Sequence, residues 1–226
     1  MDNRKHGEHD RGGHRHGAHG HDDRHGARQP ERFDPARAAL LDNPARFEHL
    51  PPDEVFAMLA APAKSRVVDF GTGTGMYAIE LARRRPDVEV IALDEQQPML
   101  DLLCAKPAAR ELPNLTAMHV ERSAELRGTA DRVLAVNVLH EVGDEALAAM
   151  VALLKADGAV LVVDWNAAVE RPVGPPREHV YTATEARERI ERAGLRAVQE
   201  QTLKYHYAVL AQRRHNQRVR KRPQKW

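Results

Sequence analysis

Residues 67–82 read VVDFGTGTGMYAIELA, and this stretch decides the fold. Its first residues are apolar apart from Asp69 and predict a short buried strand, and the apolar spacing after Met76 predicts a helix. Between them, glycine occupies every second position, at Gly71, Gly73 and Gly75. Glycine lacks a Cβ, so this turn can bend sharply and its backbone can touch a ligand. In an open α/β sheet, a strand, a glycine-rich turn and a helix in this order form a nucleotide-sized crevice at the carboxyl ends of the strands.

Further strand-like runs follow this stretch along the chain. They cover residues 88–93, 115–120, a run that begins at residue 130, 159–163, 195–200 and 205–212. The run from residue 130 is nearly continuously apolar, which is typical of a central parallel strand buried on both faces. The last two runs lie too close together for a crossover helix, so we expect this pair to be antiparallel.

The acid at the end of the second predicted strand is Asp94, which follows Gly75 by 19 residues. In α/β nucleotide sites, an acid at about this distance accepts hydrogen bonds from ribose hydroxyls. The same acid would serve NAD, so it does not by itself distinguish between adenosine-containing cofactors.

Several segments are similar to the class I S-adenosylmethionine-dependent methyltransferases. Residues 69–75, an acid followed by G-x-G-x-G, resemble motif I of that superfamily. Residues 94–100, DEQQPML, resemble its D-x-S-x-x-M-L pattern, and residues 121–126, ERSAEL, stand where it often has G-D-A-E-x-L. Residues 138–141, VLHE, resemble the small-molecule group of type 11, which includes the ubiquinone/menaquinone and arsenite methyltransferases. The resemblance implies an α/β, Rossmann-like fold: a seven-stranded, mostly parallel sheet with helices on both faces and an antiparallel last strand.

The resemblance also implies a cofactor and a reaction. S-adenosyl-L-methionine would give its methyl group to a small-molecule acceptor by in-line displacement. Ser123 stands where the superfamily has an Asp that binds the adenine amino group, a departure that keeps a hydrogen-bonding side chain. The residues expected to bind the cofactor are Asp69, Gly71, Thr72, Gly73, Gly75, Asp94, Glu95, Ser123, Ala124 and Asn137.

His140 is the candidate catalytic residue. It follows the central strand that begins at residue 130, so it should open into the same crevice as the glycine turn. There it could pair with Glu141 or take a proton from the acceptor. The alternative is a loop histidine that only caps or packs. No metal ligands are predicted within the folded domain.

The two ends of the chain differ from the rest in composition. Residues 1–30 hold seven His with no large apolar residue after Met1, so a disordered tail is predicted, with weak metal binding as a possible activity. The methyltransferase domain is expected over residues 31–212, with a helical lead-in over 31–62 and a basic tail over 213–226. Residues 31–210 hold 21 basic and 28 acidic side chains, an acidic balance that disfavours broad docking of nucleic acid.

The cellular setting is inferred from what the chain lacks. It has one cysteine, Cys104, which fits a reducing compartment, and no apolar stretch long enough for a membrane span. The His-rich start has no apolar core of the kind that a secretory signal needs. These features predict a cytoplasmic protein that has no membrane partner. The single cysteine also disfavours arsenite as acceptor, since a soft metalloid normally needs several thiolates.

Rival functions stay open at this point. A nicotinamide-dependent oxidoreductase would use a similar crevice, although the position of Gly75 and the terminal hairpin disfavour it. A metal-handling protein could act through the His-rich tail. RNA methylation guided by the basic C-terminal tail is a third possibility.

Overall fold

The seven predicted strands form one sheet. The computed structural model describes residues 32–214 of the chain. Its strands are β1 Arg66–Phe70, β2 Glu89–Asp94, β3 Leu115–His119, β4 Ala130–Val136, β5 Leu154–Trp165, β6 Leu195–Thr202 and β7 His206–Arg213. They lie in the order β3-β2-β1-β4-β5-β7-β6.

The chain direction reverses only at β7. Strands β1 to β5 pair in parallel, whereas β7 is antiparallel to both β5 and β6. Only three residues separate β6 from β7, which leaves no room for a crossover helix. The predicted seven-stranded sheet with an antiparallel last strand is therefore confirmed.

Helices cover both faces of the sheet. The α-helices are α1 Arg46–His49, α2 Pro52–Leu59, α3 Met76–Arg84, α4 Gln97–Ala105, α5 Pro107–Arg110, α6 Asp144–Leu153 and α7 Ala183–Arg192. Short 3₁₀ helices span Pro35–Leu40, Val120–Leu126, Leu139–Glu141 and Arg177–His179. Adjacent residues of β1 pack against the helix layers on opposite faces of the sheet. Val67 packs in a cluster with residues of α2 and α3, whereas Val68 packs in a cluster with residues of α6 and α7.

Strand β5 is longer than the sequence predicts. It begins at Leu154 and not at Ala159, because Leu154 already pairs with Ala130. The next aligned pair is Ala159 with Arg132, so the intervening residues form an irregularity in the strand. The Asp157–Gly158 pair, which suggests a turn in sequence, lies in this irregular part of the strand.

The predicted tails fall almost entirely outside the described residues. Strand β7 extends to Arg213, and Arg214 is the last residue described. The His-rich segment 1–30 and most of the basic segment 213–226 lie outside the described range, so their predicted roles stay predictions. Within residues 32–214, none of the helices has the length and apolar character needed to cross a bilayer.

Candidate active site

The glycine turn lies between the end of β1 and the start of α3. Gly71, Gly73 and Gly75 all have positive φ, at 70°, 55° and 80°. A Cβ on Gly71 would lie 2.7 Å from Val138 Cγ2, so a larger residue would not fit between β1 and β4. The N–H groups of Gly71 and Thr72 donate to the Leu93 carbonyl at 2.8 and 3.1 Å, which fixes the turn against the end of β2.

Two carboxylates flank this turn. Asp69 accepts a hydrogen bond from Thr72 Oγ1 at 2.7 Å. Asp94 accepts one from the Gly73 N–H at 2.7 Å and one from the Gln96 N–H at 2.8 Å. Burial raises the pKa of Asp69 to about 7, against the opposing effect of the Thr72 hydroxyl. Burial also raises the pKa of Asp94, although the backbone donors favour its charged form.

His140 is held by a carboxylate that the sequence analysis did not single out. Its Nδ1 lies 2.8 Å from Asp164 Oδ1. Asp164 is fully buried, and it also accepts the N–H groups of His140 and Trp165 at 3.0 and 2.7 Å. Because a carboxylate only accepts, Nδ1 carries the proton and Nε2 is left as the proton acceptor. Burial lowers the pKa of His140, but the Asp164 and Glu141 carboxylates outweigh this, so the pKa lies above its ordinary value.

Asp164 could have been found from the sequence. It ends an apolar run, as Asp69 and Asp94 do, and the carboxyl ends of neighbouring parallel strands meet at one edge of the sheet. The same argument that selected residues 137–141 after β4 applies to Asp164 in β5.

Glu141 and Gln96 hold the lead-in over the site from two sides. The Phe33 N–H donates to Glu141 Oε2 at 3.2 Å, and Gln96 Nε2 donates to the Phe33 carbonyl at 3.0 Å. Arg32 pairs with Glu95 at 2.7 Å. Burial raises the pKa of Glu141 to about 7. The segment before the first helix therefore roofs the crevice between β2 and β4.

These elements enclose one large cavity of about 1270 Å³. Most of the residues expected to bind the cofactor line it, and so does His140. The lining residues from that set are Asp69, Gly71, Thr72, Gly73, Asp94, Glu95 and Asn137. Asn137 has a positive φ of 58°, and its buried Oδ1 has no hydrogen-bond partner within residues 32–214.

Three expected residues lie outside the cavity lining: Gly75, Ser123 and Ala124. Gly75 caps α3, and a Cβ there would overlap with Leu103 Cδ1 of α4. Its conformation serves helix packing. Ser123 and Ala124 lie on the 3₁₀ helix after β3, whose first residue, Val120, does line the cavity.

Comparisons with known proteins agree with this architecture. Residues 67–158 match the family model described as a methyltransferase domain. A solved S-adenosylmethionine-dependent methyltransferase from Aquifex aeolicus superposes with a TM-score of 0.74 at 28% identity, over 80% of this chain and 98% of that one. Residues 67–158 therefore resemble a methyltransferase domain in sequence, and most of the chain resembles an S-adenosylmethionine-dependent methyltransferase in structure.

Curated proteins that resemble this chain match it over short segments. A demethylmenaquinone methyltransferase of Deinococcus radiodurans is 46% identical over 52 residues, which is 23% of this chain and 22% of that protein. A trans-aconitate 2-methyltransferase of the same organism is 39% identical over 65 residues, 29% of this chain and 24% of that protein. The matches to the first curated relatives thus span only about a quarter of their lengths.

Proposed function

We propose that this protein transfers the methyl group of S-adenosylmethionine to a small-molecule acceptor by in-line displacement. The observation that carries the proposal is the glycine turn, with its positive φ angles, next to Asp94 in a single large cavity. Pockets for one drug-sized ligand measure about 300–1,000 Å³. A cavity of about 1270 Å³ has room for a cofactor and an acceptor together.

The residues present fit this cofactor. Gly71 and Gly73 line the cavity with positive φ and without side chains, so the backbone of the turn is open to a ligand, and Asp94 stands at the end of β2, where an acid meets a ribose. Glu95, Asn137 and Val120, the residue after β3, would complete the adenosyl side. When bound, S-adenosylmethionine supplies an electrophilic methyl group on a sulfonium.

His140 is the group that we assign to the acceptor proton. Asp164 fixes the imidazole orientation and stabilises its protonated form, while Nε2 is free to accept a proton from the acceptor. Glu141 lies 3.6 Å from Nε2, near enough to favour the protonated ring after transfer. Positioning and exclusion of water are the main contributions expected of the remaining wall.

Two relatives are named for small-molecule acceptors, demethylmenaquinone and trans-aconitate, which supports this class of acceptor, whereas others are named for tRNA and for a release factor. The lead-in that closes the cavity from above favours a compact substrate. The rival nicotinamide function makes a different prediction for ligand binding and is tested in the same experiment.

Calorimetric titration of the full chain tests the proposal. We expect S-adenosylmethionine and S-adenosylhomocysteine to bind and NADH not to bind. An Asp94→Asn variant should bind S-adenosylhomocysteine about tenfold more weakly, because a charge-assisted hydrogen bond is lost. Asp101→Asn, on the exposed side of α4, is the matched control. Binding of NADH but of neither adenosyl ligand would contradict the proposal.

A further inference from the structure

A loop that follows β5 forms part of the cavity wall on the side of His140. We call residues 166–176 the β5 loop. It begins two residues after Asp164, the carboxylate that holds the His140 ring. The glycine turn and Asp94 lie instead at the ends of β1 and β2, so the β5 loop borders the acceptor side of the cavity. Its lining residues are Val173, Gly174, Pro175 and Pro176.

Backbone hydrogen bonds hold the β5 loop at its base but not along its far part. The Asn166 N–H donates to the Tyr205 carbonyl at 3.0 Å, and the Ala167 N–H donates to the Tyr181 carbonyl at 2.9 Å. Within the described chain, residues 170–175 take part in no backbone–backbone hydrogen bond. A segment of this kind opens easily unless side chains hold it.

Arg171 supplies the bonds that this part of the loop lacks. Its Nη1 donates to the Asn166 carbonyl at 3.3 Å, and its Nη2 donates to the Pro175 carbonyl at 2.6 Å. The planar guanidinium can hold two acceptors at once, and here they lie at the two ends of the β5 loop. Because the Asn166 carbonyl also accepts the Val169 N–H at 3.1 Å, losing Arg171 would free mainly the Pro175 end.

The same side chain packs the loop against Trp165. The Arg171 guanidinium lies 5.6 Å from the centroid of that ring. A Cβ on Gly174 would lie 3.1 Å from both Arg171 Nε and Trp165 Cδ2, a close approach that glycine allows. Trp165 lines the cavity and Arg171 does not, so Arg171 acts on the cavity through the residues that it holds.

Arg171 also places a positive charge near the His140–Asp164 pair. Burial lowers the pKa of Arg171, with Asp164 opposing this and Arg177 adding to it. Burial and Arg171 both lower the pKa of His140, whereas Asp164 and Glu141 raise it. Arg171 therefore offsets part of the effect of the two carboxylates. This keeps more of the His140 Nε2 unprotonated, which is the form that can accept a proton.

We propose that Arg171 is a positioning residue of the acceptor side: it closes the β5 loop over Trp165 and keeps a positive charge beside the His140–Asp164 pair. This rests on the proposed function, because that function assigns His140 to the acceptor.

Two measurements on the full chain test the two parts of this role. Trp165 and Trp226 are the only tryptophans in the sequence, so in a Trp226→Phe background acrylamide quenching of fluorescence reports the exposure of Trp165. NMR titration of the His140 ring reports its pKa. The variants are Arg171→Met and Arg171→Lys. Arg177→Met is the matched control, because it removes the same charge from an exposed residue next to the β5 loop.

Arg171→Met should open the loop, increase quenching about twofold and raise the pKa of His140. Arg171→Lys keeps the charge, but an ammonium cannot hold both carbonyls as the guanidinium does. Quenching should therefore rise in this variant while the pKa of His140 stays near that of the wild type. Arg177→Met should change neither quantity. S-adenosylhomocysteine should bind all three variants within about twofold of the wild type, since the cofactor side is untouched.

The proposal is overturned if Arg171→Met leaves quenching unchanged or does not raise the pKa of His140, or if Arg177→Met reproduces both effects. A loss of S-adenosylhomocysteine affinity in Arg171→Met alone would place Arg171 on the cofactor side and overturn it as well. Failure of the wild-type protein to bind S-adenosylhomocysteine would instead contradict the proposed function. Quenching and the His140 titration need no ligand, so they still decide what Arg171 does.

Discussion

Single side chains in the cavity wall have protonation states that burial sets. The pKa of His206 is lowered to about 4, whereas that of an unfolded histidine is about 6.5. Between these two pH values the unfolded chain binds a proton that the folded chain does not. The free energy of unfolding therefore falls as the pH falls through this window, by about 3 kcal/mol from this residue.

Replacing His206→Phe should remove that loss. As the pH falls from 7 to 4, the free energy of unfolding of the wild type should decrease by about 3 kcal/mol more than that of the variant, because Phe keeps the contact with Trp165 and cannot titrate. Urea denaturation at a series of pH values measures both proteins. Parallel curves for the two proteins would contradict this prediction.

Gly75 gives a second prediction at this scale. Its positive φ and the overlap of a Cβ with Leu103 both oppose a side chain. Gly75→Ala should lower the free energy of unfolding by about 2 kcal/mol. In a Leu103→Ala background the overlap is gone, so the same change should cost only about 1 kcal/mol. Equal costs in the two backgrounds would show that packing against α4 is not the cause.

At the scale of elements, α7 holds the segment that carries His140. Arg189 of α7 is buried and donates to the carbonyls of Leu139, the first residue of the 3₁₀ turn that contains His140 and Glu141, and of Val142, which follows that turn. It also contacts Tyr181 Oη at 3.0 Å and Asp144 Oδ1 at 3.2 Å. The helix itself begins with a capping box between Thr182 and Glu185, as the T-x-x-E spacing in sequence indicates.

Arg189→Met should leave the two carbonyls without their donor and lower the free energy of unfolding by about 3 kcal/mol. The substitution should also loosen the 3₁₀ turn, so that His140 pairs less well with Asp164 and the pKa of His140 falls. NMR titration of the His140 ring measures that pKa. Ile190→Val, a core change on the same helix, should lower the free energy of unfolding without changing the pKa of His140. An equal fall in that pKa in Ile190→Val would contradict a positioning role for Arg189.

At the scale of the whole molecule, the sheet depends on β7, which joins β5 to the edge strand β6. Val209 lies in the middle of β7, opposite Val162 of β5 and Glu200 of β6. A proline there would remove a ladder hydrogen bond and clash with a neighbouring strand. The start of this strand also supplies His206 to the cavity.

Val209→Pro should therefore abolish both cooperative unfolding and S-adenosylhomocysteine binding. The matched control is Val198→Pro, because Val198 is exposed on β6 where the register shifts between Ala197 and Gln199. Thermal denaturation and calorimetry compare the two. A folded, ligand-binding Val209→Pro protein would show that β7 is dispensable.

The local features of this protein were readable from sequence for a physical reason. The glycine turn, the acids at strand ends and the terminal hairpin are each specified by neighbouring residues, through positive φ, apolar runs and loop length. The sequence specified the ends of the strands less well. Strand β5 starts at Leu154 because pairing with Ala130, a tertiary contact, extends it.

Only the tertiary structure decided which side chains meet. Asp164 lies 24 residues from its partner His140, and Phe33 lies 108 residues from Glu141. No periodicity encodes such contacts, since they depend on the order of strands and on where the lead-in crosses the sheet edge. The same holds for Arg46, Arg171 and His206, which are brought together only when α1, β5 and β7 meet. The sequence by itself determined the crevice at the glycine turn, and packing determined the chemistry of its other wall.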